Sequence, residues 1–132
     1  MKHLSWMILF ATILLLDLLA VCLQGMESSL GTAENPMTVS GLLDNGIMEK
    51  SYVVKGTVSE VLEDHVSEAG YTYSQFMIGD GKGEIRFFCS QKYGNAEVEE
   101  GDGVVISGEF RNFYGEPELY GFCSEMKVFG AL

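Results

Sequence analysis

Aromatic side chains and one arginine alternate with apolar residues along two neighbouring stretches of the chain, between positions 71 and 88. In an extended strand successive side chains point to opposite faces, so every second residue shares a face. Exposed rings stack on flat ligands, which contributes about 1–3 kcal/mol per base in nucleic-acid binding, and an arginine adds a cation–π contact. We therefore predict a ligand-binding face that comprises Tyr71, Tyr73, Gln75, Met77, Arg86, Phe88, Phe113 and Tyr114.

A purely structural role for the same rings is the alternative. Aromatic residues commonly pair across adjacent strands, and such pairs stabilise a sheet without any ligand. A preceding helix could also cover them. The sequence alone leaves binding and packing open.

The chain lacks the residue patterns of common catalytic and metal sites. It contains no phosphate-binding loop, no Ser/His/Asp order and no paired catalytic carboxylates. His65 stands alone in an acidic segment, and Asp80 precedes Gly81, where a turn residue that hydrogen-bonds its own backbone is expected. We predict that the protein is not an enzyme and uses no metal or cofactor.

The charge of the chain restricts the class of ligand. There are 19 acidic and 8 basic residues, for a net charge of −11, and the basic residues are scattered singly. Nucleic-acid-binding domains usually carry a basic stripe, since counterion release supplies much of their affinity. The average charge therefore disfavours nucleic acid as a ligand, although a local basic patch would still permit it.

Strand-like alternation occurs in five stretches that are separated by glycine-bearing turns or loops. Gly56, in the middle of the first stretch, indicates a sharply coiled strand of the kind that a small barrel requires. A helical turn is expected at 38–43, a loop at 63–70, and a short helix or irregular crossing at 90–100. The predicted strands are residues 52–61, 71–78, 84–89, 104–110 and 119–129.

An apolar segment with a short basic start precedes these elements. Residues 4–23 contain Asp17 as their only charged residue, and as a helix they would span about 30 Å of lipid. A cleaved signal peptide has the same order, and Cys22 adds a lipoprotein anchor as a third alternative. We predict an exported protein that is either secreted or held at the cell membrane by a single span. Its expected parts are a signal or anchor at 1–23, a tether at 24–36 and a folded domain at 37–132.

Three patterns of glycines and apolar residues, taken in order, resemble the anticodon-binding-type OB family. They are Val54-x-Gly56-x-Val58, Phe76-x-Ile78-x-Asp80-Gly81-x-Gly83-x-Ile85-x-Phe87, and Gly101-Asp102-x-Val104-x-Ile106-x-Gly108-x-Phe110. The resemblance covers residues 52–129. It implies an all-β fold, a five-stranded OB-type Greek-key barrel with a short helix, here preceded by an N-terminal hydrophobic helix. It says little about the ligand, because these residues form the barrel.

The resemblance also implies where a ligand would bind. OB barrels usually bind through the outer face of strands two and three and the flanking loops, which here carry the predicted aromatic face. An oligonucleotide, a sugar or a protein could be the ligand there. Strand three neighbours strand five in this fold, which would bring Cys89 and Cys123 together as a disulfide in an exported protein. Two buried free thiols are the alternative.

A second resemblance is to the haem chaperones of cytochrome c maturation, which share a leader, a short tether and an acidic OB barrel. In that family a His or Cys, followed four positions later by Tyr, holds haem just after the barrel. Here Lys127 stands four positions after Cys123, while Cys89 and Tyr93 have the spacing in the wrong part of the chain. We therefore predict a non-enzymatic binding module of nucleic-acid-binding type, with haem transfer as the alternative function.

Overall fold

The computed structural model describes residues 30–131, which form a short helix and eight strands. In chain order these are β1 (Met37–Thr38), α1 (Val39–Asn45), β2 (Ser51–Val61), β3 (His65–Val66), β4 (Thr72–Gly79), β5 (Glu84–Ser90), β6 (Asp102–Phe113), β7 (Glu116–Phe122) and β8 (Lys127–Ala131). A 3-10 helix at Cys123–Glu125 separates the last two strands.

The hydrophobic segment predicted at 4–23 lies outside the described residues, as does the first part of the predicted tether. Across residues 30–131 no helix has the length and apolarity needed to cross a membrane. The last part of the predicted tether contacts the barrel, since the carbonyl of Gly31 accepts a hydrogen bond of 2.6 Å from the backbone N–H of Val53.

Five of the strands close into a barrel in the order β2-β4-β5-β7-β6, with β6 pairing back onto β2. All neighbours in this ring are antiparallel except β5 and β7, which run parallel. The closure requires β2 to pair with β4 along one edge and with β6 along the other. The predicted all-β, five-stranded barrel with a short helix is confirmed.

The barrel core is formed by alternate residues of each strand, as the sequence pattern predicts. Gly56 lies one residue before the first pair between β2 and β4, and a Cβ atom there would lie 2.5 Å from Cγ2 of Ile78. Only a glycine tolerates so close an approach. The side chains that are at most 2% exposed include Val54, Val58, Phe76, Ile78, Ile85, Phe87, Val104, Ile106 and Leu119.

Two predicted elements differ from the structure. The strand expected at 119–129 is divided into β7 and β8, because β6 is longer than β7 and its first residues pair with β8 instead. The loop expected at 63–70 contains β3, which pairs with β4. The crossing at 90–100 is irregular, with Ala96 and Val98 packed against the core.

The helix α1 is held against the barrel by its cap and by one carboxylate. Val39 and Leu42 are fully buried, and the hydroxyl of Thr38 caps the helix by accepting from the N–H of Gly41 at 3.1 Å. Asp80 accepts hydrogen bonds from the backbone N–H and the hydroxyl of Ser40. The carboxylate therefore joins the β4–β5 turn to the start of the helix.

Asp80 also stabilises its own turn. Its carboxylate accepts from the backbone N–H groups of Lys82 and Gly83, each at 2.9 Å, which confirms its predicted role as a turn residue. The hydrogen bonds from the Ser40 hydroxyl and from three backbone N–H groups all favour the ionised form. They hold the pKa of Asp80 well below its usual value of 3.8.

Cys89 on β5 and Cys123, at the start of the 3-10 helix, are joined by a disulfide and are fully buried. Their sequence separation is 34 residues, so the bond closes a long loop that includes the crossing and the β6–β7 hairpin.

Reduction of the disulfide should lower the free energy of unfolding by about 3–4 kcal/mol, because an open loop of this length gives the unfolded chain more conformational freedom. Denaturant unfolding of the oxidised and reduced protein measures the difference. The variant C89A/C123A serves as the control and should not respond to reductant. Two free thiols in the native protein, detected by mass spectrometry after alkylation, would contradict the disulfide.

Asp80→Asn should destabilise the fold more at pH 6 than at pH 2.5. A carboxylate whose pKa is lower in the folded state than in the unfolded state contributes its full stabilisation when the pH is above the unfolded-state pKa. This stabilisation is lost as the pH falls toward the folded-state pKa. Unfolding free energies of both proteins at both pH values test this. Asp44→Asn, which alters an exposed carboxylate on α1, is the matched control. An equal effect of Asp80→Asn at both pH values would contradict the assignment.

Candidate ligand-binding face

Three rings from three strands lie side by side on the outer face of the barrel. Tyr73 of β4 and Phe88 of β5 are stacked, with centroids 4.7 Å apart and planes inclined by 14°. Tyr120 of β7 lies opposite Phe88 in the parallel register, with centroids 6.1 Å apart, and 6.4 Å from Tyr73. We call Tyr73, Phe88 and Tyr120 the aromatic cluster. All three rings are half-buried, so each keeps part of its surface in solvent.

His65 borders the aromatic cluster. β3 pairs with β4 so that His65 lies opposite Tyr73, and its ring centroid is 6.2 Å from that of Tyr73 and 5.9 Å from that of Phe88. No sequence pattern connects this histidine with the rings, because a two-residue strand is too short to show alternation. Its side chain is exposed and extends the ring surface toward the β2–β4 connection.

Beside the cluster, two arginines share one buried carboxylate. Nη2 of Arg86 lies 2.7 Å from Oε2 of Glu118, and Nη2 of Arg111 lies 3.0 Å from Oε1. The side chain of Glu118 is 1% exposed, whereas those of Arg86 and Arg111 are 24% and 32% exposed. We call these three residues the Arg–Glu–Arg triad. It spans β5, β7 and β6 in adjacent register positions.

The triad joins the aromatic cluster to the β6–β7 hairpin. The guanidinium of Arg111 lies 4.1 Å from the ring centroid of Tyr120, and that of Arg86 lies 4.9 Å from the ring centroid of Phe113. Both distances are within the range of cation–π attraction. Burial raises the pKa of Tyr120, with Tyr73 adding to the effect and Arg111 opposing it, so the phenol stays neutral near pH 7.

The tip of the hairpin presents a tyrosine in a costly conformation. Tyr114 has a φ of 51° and is 93% exposed, and Gly115 follows with a φ of 89°. Asn112 supports the turn by accepting from the N–H of Gly115 at 2.8 Å. Hairpin turns with two positive φ values strongly favour Asn or Gly at the first position, so turn stability alone would not select tyrosine here.

The remaining predicted residues lie around these groups. Gln75 and Met77 are half-buried on the outer face of β4, where the side-chain amide of Gln75 donates to the carbonyl of Glu63 at 3.0 Å. Tyr71 lies one residue before β4 and is 57% exposed.

The structure thus brings several predicted residues into one surface and adds others that the sequence analysis missed. The alternation on either side of buried Leu119 would have placed Glu118 and Tyr120 outward, and Arg111 follows from the same rule next to buried Phe110. His65 could not be found this way.

A wide groove of 1190 Å³ lies elsewhere on the barrel. Much of its lining is the glycine-rich backbone between β4 and β5, and the carboxylate of Asp80 in it is already used in four hydrogen bonds. Its other side chains include Lys55, Thr57, Lys82, Glu84 and Phe129. Within residues 30–131 no cluster of three His, Cys, Asp or Glu side chains could hold a metal ion.

No family model and no curated protein matches the chain, but solved structures do. A domain of replication protein A from Methanococcus maripaludis has a TM-score of 0.57 at 16% identity and covers 72% of this chain and 98% of that one. The solution structure of the second OB-fold domain of replication protein A from the same organism has a TM-score of 0.55 at 18% identity and covers 70% of this chain and 95% of that one. The hypothetical protein YgiW from E. coli has a TM-score of 0.51 at 16% identity and covers 70% of this chain and 87% of that one.

These likenesses and the strand order of the closed barrel decide the fold. The described domain is an OB fold. At such low identities the likeness carries the fold alone. Two of the three rings of the aromatic cluster, Tyr73 and Phe88, lie on the outer face of β4 and β5, which correspond to strands two and three of the OB barrel, while Tyr120 lies on β7, the fifth strand.

Tyr114→Asn should raise the free energy of unfolding by about 1 kcal/mol, because asparagine adopts a positive φ with less strain than tyrosine. Denaturant unfolding measures the change, with Tyr93→Asn, at a position also exposed, as the control for loss of a surface ring. Destabilisation by Tyr114→Asn would show that the edge-on contact of its ring with Phe113 outweighs the backbone strain.

Proposed function

We propose that this chain is a non-enzymatic binding module that works outside the cytoplasm and binds single-stranded nucleic acid across the aromatic cluster. The observation that carries the proposal is that Tyr73, Phe88 and Tyr120 lie together on one outer face of the OB barrel and that each ring keeps part of its surface exposed to solvent. OB folds that bind single strands combine such rings with a groove that follows the strand.

The surroundings of the cluster support a ligand that crosses the strands. His65 borders the rings of Tyr73 and Phe88, while Phe113 packs on Arg86 in the neighbouring hairpin. A single strand laid across β4, β5 and β7 would meet rings along its whole path. Stacking accepts any base, because every base has a flat face.

The charge of the protein sets a limit on affinity. The net charge of −11 opposes approach of a polyanion, while Arg86 and Arg111 supply positive charge beside the cluster. Binding would therefore depend on stacking more than on phosphate contacts. A sugar or a protein that offers flat apolar surface is the competing ligand class for the same face.

We propose that the protein is located outside the cytoplasm because of two features. Residues 4–23 have the order of a signal or anchor segment, and a buried disulfide such as Cys89–Cys123 persists in oxidising compartments. The segment would release the domain if cleaved or hold it at the cell membrane if retained. The same disulfide engages both sulfur atoms, so neither Cys89 nor Cys123 is free to ligate haem iron.

The variant Y73A/F88A should weaken binding of a fluorescent oligothymidylate at low salt by at least about tenfold, since each stacked base contributes about 1–3 kcal/mol. Fluorescence anisotropy measures the affinity, and circular dichroism checks the fold. Phe129→Ala removes a 62% exposed ring in the other groove and should leave the affinity unchanged.

Three outcomes would count against the proposal. Equal binding by wild type and Y73A/F88A would reject the site, and loss of binding in Phe129→Ala alone would move it to the other groove. No binding of any oligonucleotide by the wild type would reject nucleic acid as the ligand.

We also expect Tyr114→Asn to bind oligothymidylate more weakly in the same anisotropy measurement, because it removes an exposed ring of the predicted binding face. The weaker binding is expected even though asparagine relieves the backbone strain of the turn.

A further inference from the structure

The Arg–Glu–Arg triad places two positive charges beside the aromatic cluster, and both are engaged by one internal carboxylate. We infer that Glu118 sets the charge preference of this face: it holds Arg86 and Arg111 away from phosphates, so that the face selects ligands by their rings rather than by negative charge. The inference rests on the proposed function for its ligand but concerns a residue to which that function assigns no role.

The burial of Glu118 makes this arrangement hard to disturb. Each carboxylate oxygen is taken by a different arginine, at 2.7 Å and 3.0 Å, and the side chain is 1% exposed. Removing either partner of such a pair leaves an unpaired charge away from water, which is costly. Since Nη2 of each arginine is already engaged, a phosphate that used both Nη atoms of one guanidinium would have to compete with a better-placed carboxylate.

The arginines are also held against rings. Arg111 lies over Tyr120 and Arg86 over Phe113, and the Nε atoms of both are buried without a hydrogen-bond partner among the described residues. A guanidinium placed for phosphate recognition would instead direct its N–H groups outward as a fork. Here the two cations lie over the rings of Phe113 and Tyr120 instead.

The Arg–Glu–Arg triad carries only a small net charge. Two arginines and one glutamate leave the triad with a single positive charge, in a protein whose net charge is −11. Replacing Glu118 with glutamine would raise the local charge by one unit at nearly constant volume. Both arginines would lose their carboxylate partner and become available to phosphates.

Salt dependence distinguishes phosphate contacts from stacking. For single strands the logarithm of the binding constant falls with the logarithm of salt concentration with a slope of about −0.7 per phosphate contacted. With both arginines engaged, the wild type should show a slope no steeper than about −0.7. E118Q should bind oligothymidylate several-fold more tightly at low salt, with a slope steeper by about 0.7–1.4.

The decisive experiment is a salt titration of oligothymidylate binding by wild type, E118Q and a charge-free triad, R86M/E118L/R111M. Apolar residues of similar volume often replace a buried ion triad without loss of stability, so the triple variant remains testable if E118Q fails to fold. It should bind more weakly because the rings lose their cationic neighbours, but it should keep the wild-type salt slope. Circular dichroism checks the fold of each variant.

A folded E118Q with the affinity and salt slope of the wild type would overturn the inference. A steep wild-type slope that flattens in the triple variant would also overturn it, because the arginines would then contact phosphates in the native protein. Absence of binding by the wild type with clear binding by E118Q would uphold the inference and reject the proposed function. Absence of binding by both would contradict both.

Discussion

The double pairing of β2 is the constraint on which the rest of the structure depends. β2 pairs with β6 over Ser51–Thr57 and with β4 over Thr57–Val61, and Gly56 lies beside the residue where the two pairings meet. Once the sheet is closed, one face of every strand is committed to the core and the other to solvent. A side chain larger than hydrogen at position 56 would meet Ile78 and force the closing strands apart.

The aromatic cluster is a direct consequence of that closure. Closure places β5 between antiparallel β4 and parallel β7, so that outward residues from three separate parts of the chain come into register. Phe88 thereby lies between Tyr73 and Tyr120, and buried Glu118 lies beside Arg86 and Arg111. The aromatic cluster and the Arg–Glu–Arg triad are therefore positioned by the same strand register. This register brings the three rings together and places the two arginines beside the glutamate that offsets part of their charge.

Local alternation made much of this predictable from sequence, and long-range pairing explains what was missed. The inward set on β4 and β5 follows from strict alternation around Phe76 and Phe87, so the outward positions of Tyr73, Arg86 and Phe88 follow too. The contact between His65 and the cluster depends on a two-residue strand that no periodicity reveals. The division of the last predicted strand depends on the length of β6, a tertiary property that the local pattern does not contain.

In the proposed binding mode a single-stranded ligand lies on the aromatic cluster and not in the groove around Lys55 and Thr57. Backbone amide chemical shifts, followed by NMR while oligothymidylate is added to the oxidised domain, test it residue by residue. We expect the chemical shifts to change most at Tyr73, Phe88 and Tyr120, with small changes at Lys55 and Thr57. Shifts centred on the groove, or none at saturating oligonucleotide, would contradict it.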